Sequence, residues 1–591
     1  MKGKTVGTVL YILFSLIILA LFEFNKNTLA GWAVAIVLLI LYPVVRLRKP
    51  FKNKKLLRIP LFLLLCAALG AALKFTEGPV KLRDAVEGNN GGVTEIVEVA
   101  QGQLTGVYTE DKQVEVYTGI PYAAPPVGDL RWKEPADPES WKGVRACDKF
   151  APMSMQVQSN TIYSSLSRMI GYHDYKISLK DNFKDANSED ALYLNIWKPA
   201  GKADGLPVLV YNHGGTLQTG QPWYADYSGD GLARKGVIVV NMGYRLGVFG
   251  FLATDELAAE SVNGTTGNYG LLDQIKALEW VRDNIAAFGG DPDNVTVAGE
   301  SAGSACVTAL CTSPLAEGLF KRAIAESSTV TAVKPTHSFR SYEDALKCGR
   351  ETLARFRCDS IEELRKVDAE ALAEAMDTNH HMTVDGYVLT EDPYLSMKKG
   401  ICNADAFLEG FNSEESAPFI LFSQANSKNY EDKVRAYFGE YADEVLELYP
   451  AETSAEARRQ WAEIYSAVFF TYGHWCLTNQ ANALDIPAYE YCFCKHNGSL
   501  GPWHSGEMIY CYGNVPKDSR LYDEADRELS DIFCSYFANF CKTGDPNGED
   551  LPLWERSSTG NELLKLGDSV EMIRDPFLKI YPVFDRFYGA S

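Results

Sequence analysis

Three uncharged apolar runs open the chain, at Val6–Phe22, Leu29–Val45 and Ile59–Leu73. Each approaches the ~17–25 residues that a bilayer's hydrocarbon thickness requires. Lipid offers no partner for backbone N–H and C=O groups, so a run that crosses it must be helical. None of the three shows the polar face of a surface amphipathic helix. The third is the shortest, and a re-entrant or core helix is the alternative for it. For the set, the alternative is three core helices of a soluble protein.

Charge gives these runs a direction. Residues 1–58 hold ten Lys or Arg against one acid, Glu23, although the whole chain has a formal net charge of −20. Seven of the ten lie in Arg46–Arg58, between the second and third runs, whereas the first loop has only Glu23 and Lys26. Basic loops stay cytoplasmic. The expected topology is therefore a multi-pass cell-membrane protein with its N-terminus inside, three crossings spanning 6–73, and the large domain outside. Phe22-Glu23-Phe24-Asn25 lacks the small-residue pattern of a signal-peptide cleavage site.

The expected domains are a membrane segment over 1–75, a linker over 76–92 and a folded domain over 93–591. The linker contains Pro79 and the tract Gly88-Asn89-Asn90-Gly91-Gly92, a composition that buries little and predicts mobility. Residues 1–58 carry a formal +9, which leaves −29 on the rest of the chain and makes it strongly acidic. That argues against nucleic acid as a partner, because phosphate binding needs Lys and Arg.

In the large domain, short β-branched runs alternate with helical patterns. Leu206–Asn212 and Gly236–Met242 read as buried strands. Ile275, Leu278, Val281 and Ile285 recur at helical spacing and predict a helix over Leu272–Phe288. Val295–Ala298 reads as a further strand, with a helix from Ser301 to about Cys311. The acidic stretch Ser341–Met376 reads as a mostly helical insertion. Alternating strands and helices predict an α/β fold with a mostly parallel sheet covered on both faces.

Gly299-Glu300-Ser301-Ala302-Gly303 falls between the last predicted strand and its helix. G-x-S-x-G in that context is a nucleophile elbow, a turn too tight for side chains at the two glycines. It leaves Ser301 exposed at the carboxyl edge of the sheet, with the positive end of a helix dipole beside it. The motif's position makes Ala302, directly after the nucleophile, a candidate oxyanion donor.

A serine hydroxyl needs a base, usually His, and an acid to hold that base's tautomer. Downstream of Ser301 lie histidines 337, 380, 381, 474, 496 and 504. Residue types alone leave several of them open.

Many collinear segments resemble the type-B carboxylesterase family, which includes carboxylesterases, cholinesterases and para-nitrobenzyl esterases. They include YTGIPYAAPPVGDLRWKEP (117–135), SEDALYLNIWKP (188–199), HGG (213–215), YRLGVFGFL (244–252), GNYGLLDQIKALEWVRDNIAAFGGDPDNVTVAGESAGS (267–304) and KTGDPNGEDLPLW (542–554). The resemblance covers essentially all of 93–591 and implies an α/β-hydrolase fold with a gorge leading to the serine. GPWHSGEMIYCYG (501–513) resembles the family's catalytic-His segment and selects His504, with His496 as runner-up. GFNSEESAPF (410–419) resembles its acid segment and selects Glu415, with Glu414 the alternative. The resemblance assigns Gly215 and Thr216 as further oxyanion donors. Thr216 stands where many members have Gly or Ala; its β-branched side chain bears on pocket size. The stretches expected to sort substrates, Asn160–Phe183 and Thr216–Tyr227, match the family poorly.

The activity implied is hydrolysis of a small-molecule carboxylic ester through an acyl-enzyme on Ser301, with no metal or organic cofactor. Two alternatives share the fold: a non-catalytic adhesion protein, and an amidase, carbamate hydrolase or lipase with the same triad. Of the 13 cysteines, Cys66 lies in the third apolar run. The positions of the family's N-terminal disulfide fall at Ser154 and Ala191 here, and Cys358 resembles one end of a second bridge without an evident partner. Cys492 and Cys494 would share one strand face, where packing accounts for them. Asn263, Asn294 and Asn497 begin glycosylation sequons.

Overall fold

The computed structural model describes residues 2–49, 51, 55–157, 182–333, 339–374, 380–421, 423–497, 501–517, 519–558 and 561–590. These fall into two compact units. One is drawn from Met1–Arg83 and Gln158–Ala186, the other from Asp84–Val157 and Asn187–Ser591.

The first unit contains helices α1 (Lys2–Phe24), α2 (Leu29–Arg46) and α3 (Arg58–Phe75). All three are long and apolar enough to cross a membrane. Only 11%, 28% and 17% of their apolar windows is buried, so most of their Leu, Ile and Val surface faces outward. That is the reverse of a soluble core, where such side chains are inside. The narrow buried seam includes Phe22, Trp32, Ala35, Leu39, Tyr42, Leu65, Leu69 and Ala72. Pro43 lies inside α2 and has no N–H, so the carbonyl of Leu39 loses its helical donor. The Tyr11 hydroxyl of α1 donates to that carbonyl at 2.6 Å. At the other end, the Asn27 amide donates to the Leu73 carbonyl and the Thr76 hydroxyl, both at 2.8 Å. Val80–Lys81 pairs in parallel with Lys184–Asp185.

The second unit is built on an eleven-stranded sheet. Its strands are β1 (Val107–Tyr108), β2 (Val114–Pro121), β3 (Tyr193–Pro199), β4 (Leu206–Asn212), β5 (Ile238–Met242), β6 (Gly290–Glu300), β7 (Arg322–Glu326), β8 (Phe407–Asn412), β9 (Ala488–Phe493), β10 (Glu562–Leu566) and β11 (Val570–Arg574). The spatial order is β11-β10-β9-β8-β7-β6-β4-β5-β3-β2-β1. From β5 through β10 neighbouring strands are parallel, and the edges are antiparallel. Val208, Leu209 and Val210 of β4 and Ile238, Val239 and Val240 of β5 are fully buried, as expected of a parallel sheet covered on both faces. This is the α/β-hydrolase architecture.

Most of the sequence-derived elements recur, with shifted ends. β4 has the expected bounds. β5 starts at Ile238, after a turn in which Gly236 has φ 85°. β6 reaches back to Gly290, which pairs with Leu206. Helix α4 (Tyr269–Asn284) starts three residues early and tightens into a 3₁₀ turn over Ile285–Phe288. Helix α5 spans Ala302–Leu310 and excludes Ser301. The expected helical insertion contains Tyr342–Phe356, Ile361–Leu364 and Ala369–Ala373.

Because the chain order reverses between β5 and β6, the carboxyl ends of β4 and β6 open side by side. That is where open α/β sheets place their ligand crevice.

Candidate active site

β6 ends at Glu300 and α5 begins at Ala302, so Ser301 alone makes the turn. Its φ is +57° and its ψ −125°. A non-glycine residue there costs ~1–3 kcal/mol and persists only when its surroundings impose it. Its N–H donates to the Glu326 carbonyl at 2.8 Å, and its carbonyl accepts from Ala305 at 3.0 Å. A Cβ on Gly303 would lie 2.0 Å from the Asn212 carbonyl oxygen, and one on Gly299 would lie 2.5 Å from the Gly303 carbonyl carbon. The two flanking glycines are therefore required by sterics.

The Ser301 hydroxyl lies 2.9 Å from Nε2 of His504. Nδ1 of His504 lies 2.6 Å from Oε2 of Glu415. A carboxylate only accepts, so Nδ1 carries a proton, and in the neutral imidazole Nε2 is left to accept from Ser301. Glu415 is fully buried, and its Oε1 accepts from the Asn412 backbone N–H at 2.8 Å. Ser301 follows β6, Glu415 follows β8 and His504 lies beyond β9, all parallel strands of the one sheet, with β7 between β6 and β8.

The other candidates stand elsewhere. His496 and Glu414 form an exposed pair at 3.1 Å. His380 is buried against Thr352 and Cys348. His474 is buried against Glu409. His337 lies outside the described residues, as does Asn160–Asp181 of the expected substrate-sorting stretch.

Further carboxylates surround His504. Oε1 of Glu300 lies 3.2 Å from its Nε2 and accepts from the Ser505 hydroxyl at 2.6 Å. Glu507 accepts from Asn412 Nδ2 at 2.5 Å and from the Ser327 hydroxyl at 3.0 Å. Burial would hold the imidazole below its ordinary value, but Glu300, Glu415 and Glu507 outweigh it and push His504 up to about 9. Burial, then the charges of Glu415 and Glu300, push Glu507 up to about 8. Burial also raises Glu300, against the pull of His504. Sequence reasoning missed Glu300 because it fills the variable position of the elbow motif. Glu507 was visible only as the Glu that follows His504.

The loop after β4 provides the opposite wall. An ideal Cβ on Gly214 would come within 3.0 Å of the Ser301 Cβ, so this loop packs directly on the serine. The carbonyls of its first three residues are engaged. That of His213 accepts from the Tyr244 hydroxyl at 2.7 Å, and that of Gly214 from His213 Nδ1 at 2.9 Å. That of Gly215 accepts from the N–H groups of Gln218 and Thr219, both at 3.0 Å. Among the described residues, the N–H groups of Gly215 and Thr216 have no acceptor. Ala302, as the first residue of α5, likewise has an N–H without a helical partner. Thr216 has φ +57° and an exposed side chain, whose Oγ1 donates back to the Gly215 carbonyl at 2.7 Å.

Phe470 and Phe419 lie 4.8 and 5.2 Å from the His504 ring, centroid to centroid. Phe419 and Leu421 are 41% and 50% exposed, so the acid-bearing turn presents an apolar rim.

All 13 cysteines are free thiols. Ser154, which with Ala191 marks the N-terminal disulfide position implied by the resemblance, lies in a short strand, where Met153–Ser154 pairs with Asn187–Ser188. Next to it, Gln156 N–H donates to Asn187 Oδ1 at 3.2 Å, and Asn187 Nδ2 returns a bond to the Gln156 carbonyl at 2.8 Å. Cys492 and Cys494 have their sulfurs 3.5 Å apart.

Comparison with known proteins agrees with this architecture. The profile of the Carboxylesterase family matches residues 93–578. The chain is 33% identical to a fumonisin B1 esterase of Sphingopyxis macrogoltabida over 79% of its own length and 86% of that protein's. It is 31% identical to the para-nitrobenzyl esterase of Bacillus subtilis, over 82% and 96%. The solved structure of the Geobacillus stearothermophilus carboxylesterase Est55 superposes with a TM-score of 0.70 at 30% identity, covering 82% of this chain and 99% of that one.

Proposed function

This chain belongs to the carboxylesterase family, and on that premise we propose that it is a membrane-anchored serine esterase that hydrolyses small-molecule carboxylic esters through an acyl-enzyme on Ser301. The observation that carries the reading is the continuous chain Ser301 Oγ, His504 Nε2, His504 Nδ1, Glu415 Oε2, with links of 2.9 and 2.6 Å. Nε2 takes the Ser301 proton as Oγ attacks the ester carbonyl carbon. Glu415 stabilises the imidazolium that forms. The N–H groups of Gly215, Thr216 and Ala302 receive the tetrahedral oxyanion, each such donor being worth ~2.7–4 kcal/mol. Collapse breaks the bond to the alcohol, which leaves with the proton from His504. Water then repeats the cycle on the acyl group and frees Ser301.

The three apolar helices form the anchor, and the basic loop Arg46–Arg58 sets the orientation, with the esterase domain outside the cytoplasm. The test is the full chain in detergent, assayed on short- and long-chain p-nitrophenyl esters beside Ser301→Ala. The reading requires turnover by the wild type and its loss in the variant; equal rates would refute it. Protease added outside intact cells should cleave the large domain, and protection would refute the orientation.

A further inference from the structure

We infer that His213 is a positioning residue for the oxyanion site: its Nδ1–H pins the Gly214 carbonyl and so sets the direction in which the Gly215 N–H points. The inference rests on the proposed role of Gly215 as an oxyanion donor.

A carbonyl oxygen can only accept, so the 2.9 Å contact between His213 Nδ1 and the Gly214 oxygen makes Nδ1 the protonated nitrogen. Nε2 is buried with no partner among the described residues. The opposite tautomer would bury an unpaired N–H and set two lone pairs against each other, so the ring is confined to one form. Burial also keeps it neutral, holding the imidazole down to about 4. The ring has little freedom to turn. It stacks on Tyr244 at 4.6 Å, and the Tyr244 hydroxyl holds the carbonyl of His213 itself.

The peptide joining Gly214 to Gly215 is planar and trans, so its C=O and N–H point in opposite directions. Fixing one fixes the other. The flanking carbonyls have other anchors: Tyr244 for residue 213, and the Gln218 and Thr219 N–H groups for residue 215. For Gly214, His213 Nδ1 is the one donor among the described residues. Without it, a glycine peptide between two anchored neighbours is free to rotate, since glycine accepts almost any φ.

The contact is also roofed. A Cβ on Gly220 would come 2.3 Å from His213 Nδ1 and 2.5 Å from the Gly214 oxygen. The Gln156 amide holds Gly220 there, accepting from its N–H at 3.0 Å and donating to its carbonyl at 2.7 Å.

The experiment uses the full chain in detergent with p-nitrophenyl butyrate as substrate and a trifluoromethyl ketone as oxyanion-forming probe. Three variants are compared: His213→Ala, His213→Asn and His213→Gln. An Asn amide nitrogen sits near the position of Nδ1, whereas that of Gln reaches toward Nε2. We expect kcat to fall roughly 10–100-fold in the Ala and Gln variants, part of the 10²–10³ lost with a whole donor. KM should stay within about twofold, ketone affinity should fall in step with kcat/KM, and Asn should restore most of the rate. Unchanged kcat and ketone affinity in His213→Ala would overturn the assignment. So would equal losses in Asn and Gln with a lowered Tm, which mark simple loss of packing. A wild type that neither turns over the ester nor binds the ketone would instead refute the esterase reading itself.

Discussion

Nε2 of His504 lies 3.2 Å from Oε1 of Glu300, so the imidazole faces a second buried carboxylate besides the one that orients it. Protonated His504 cannot accept the Ser301 proton, so kcat/KM must fall as pH falls through its pKa. The surrounding glutamates, working against burial, put that at about 9, above the ordinary histidine range. Glu300→Gln removes one of the charges that hold the proton on. The limb of the kcat/KM profile should then move to lower pH. An unmoved limb would show that Glu300 does not act on His504.

The two adjacent acids of the turn after β8 should separate cleanly. Glu415 is buried on His504, whereas Glu414 is in an exposed pair with His496. Glu415→Gln keeps the shape but opposes the Nδ1–H, and kcat should drop by roughly 10⁴-fold, as when a buried triad carboxylate becomes an amide. Glu414→Gln should stay within about twofold, since exposed pairs contribute ~0–1 kcal/mol. A steady-state assay of both variants decides it.

The elbow should tolerate no side chain at Gly303, where a Cβ would meet the Asn212 carbonyl oxygen at 2.0 Å. Gly303→Ala must move backbone between β4 and α5, at a cost of ~1–3 kcal/mol or more. We expect a lower Tm and loss of activity together. A variant as stable and active as the parent would contradict the steric account.

In the unit of three apolar helices, Tyr11 supplies the donor that Pro43 denies to Leu39. Tyr11→Phe should loosen the bundle by about 0.6 kcal/mol, the average for hydrogen bonds between membrane helices, and by no more than about 1.7 kcal/mol. Cys66 in α3 is a reporter: its maleimide labelling in detergent should speed up severalfold. Unchanged labelling would mean that the bond holds nothing.

How far the sequence reaches depends on where the information resides. β4 was legible because Leu206–Asn212 is an apolar run ended by Gly214-Gly215, and buried parallel strands look like that. The first half of β6 was not. Gly290-Asp291-Pro292-Asp293-Asn294 has turn composition, and only pairing with β4 extends it. Ser301 could be read from spacing, because sterics dictate the glycines around it. His504 and Glu415 could be picked out only by resemblance, since their meeting depends on strand order. The carboxylate cluster of Glu300, Glu415 and Glu507 had no local signal. Burying acids together runs against composition rules, and only the folded sheet brings them to one histidine. Tyr11 and Leu39 likewise meet only through helix packing.

The central claim is that Ser301 is a nucleophile activated by His504. The most direct measurement is reaction of the full chain with a fluorophosphonate, followed by intact mass and peptide mapping. The account predicts one phosphonyl group per chain, located on Ser301, with labelling abolished in Ser301→Ala and slowed by at least ~10³-fold in His504→Ala. Absence of labelling, a label on another residue, or a His504→Ala variant that labels at the parent rate would contradict it.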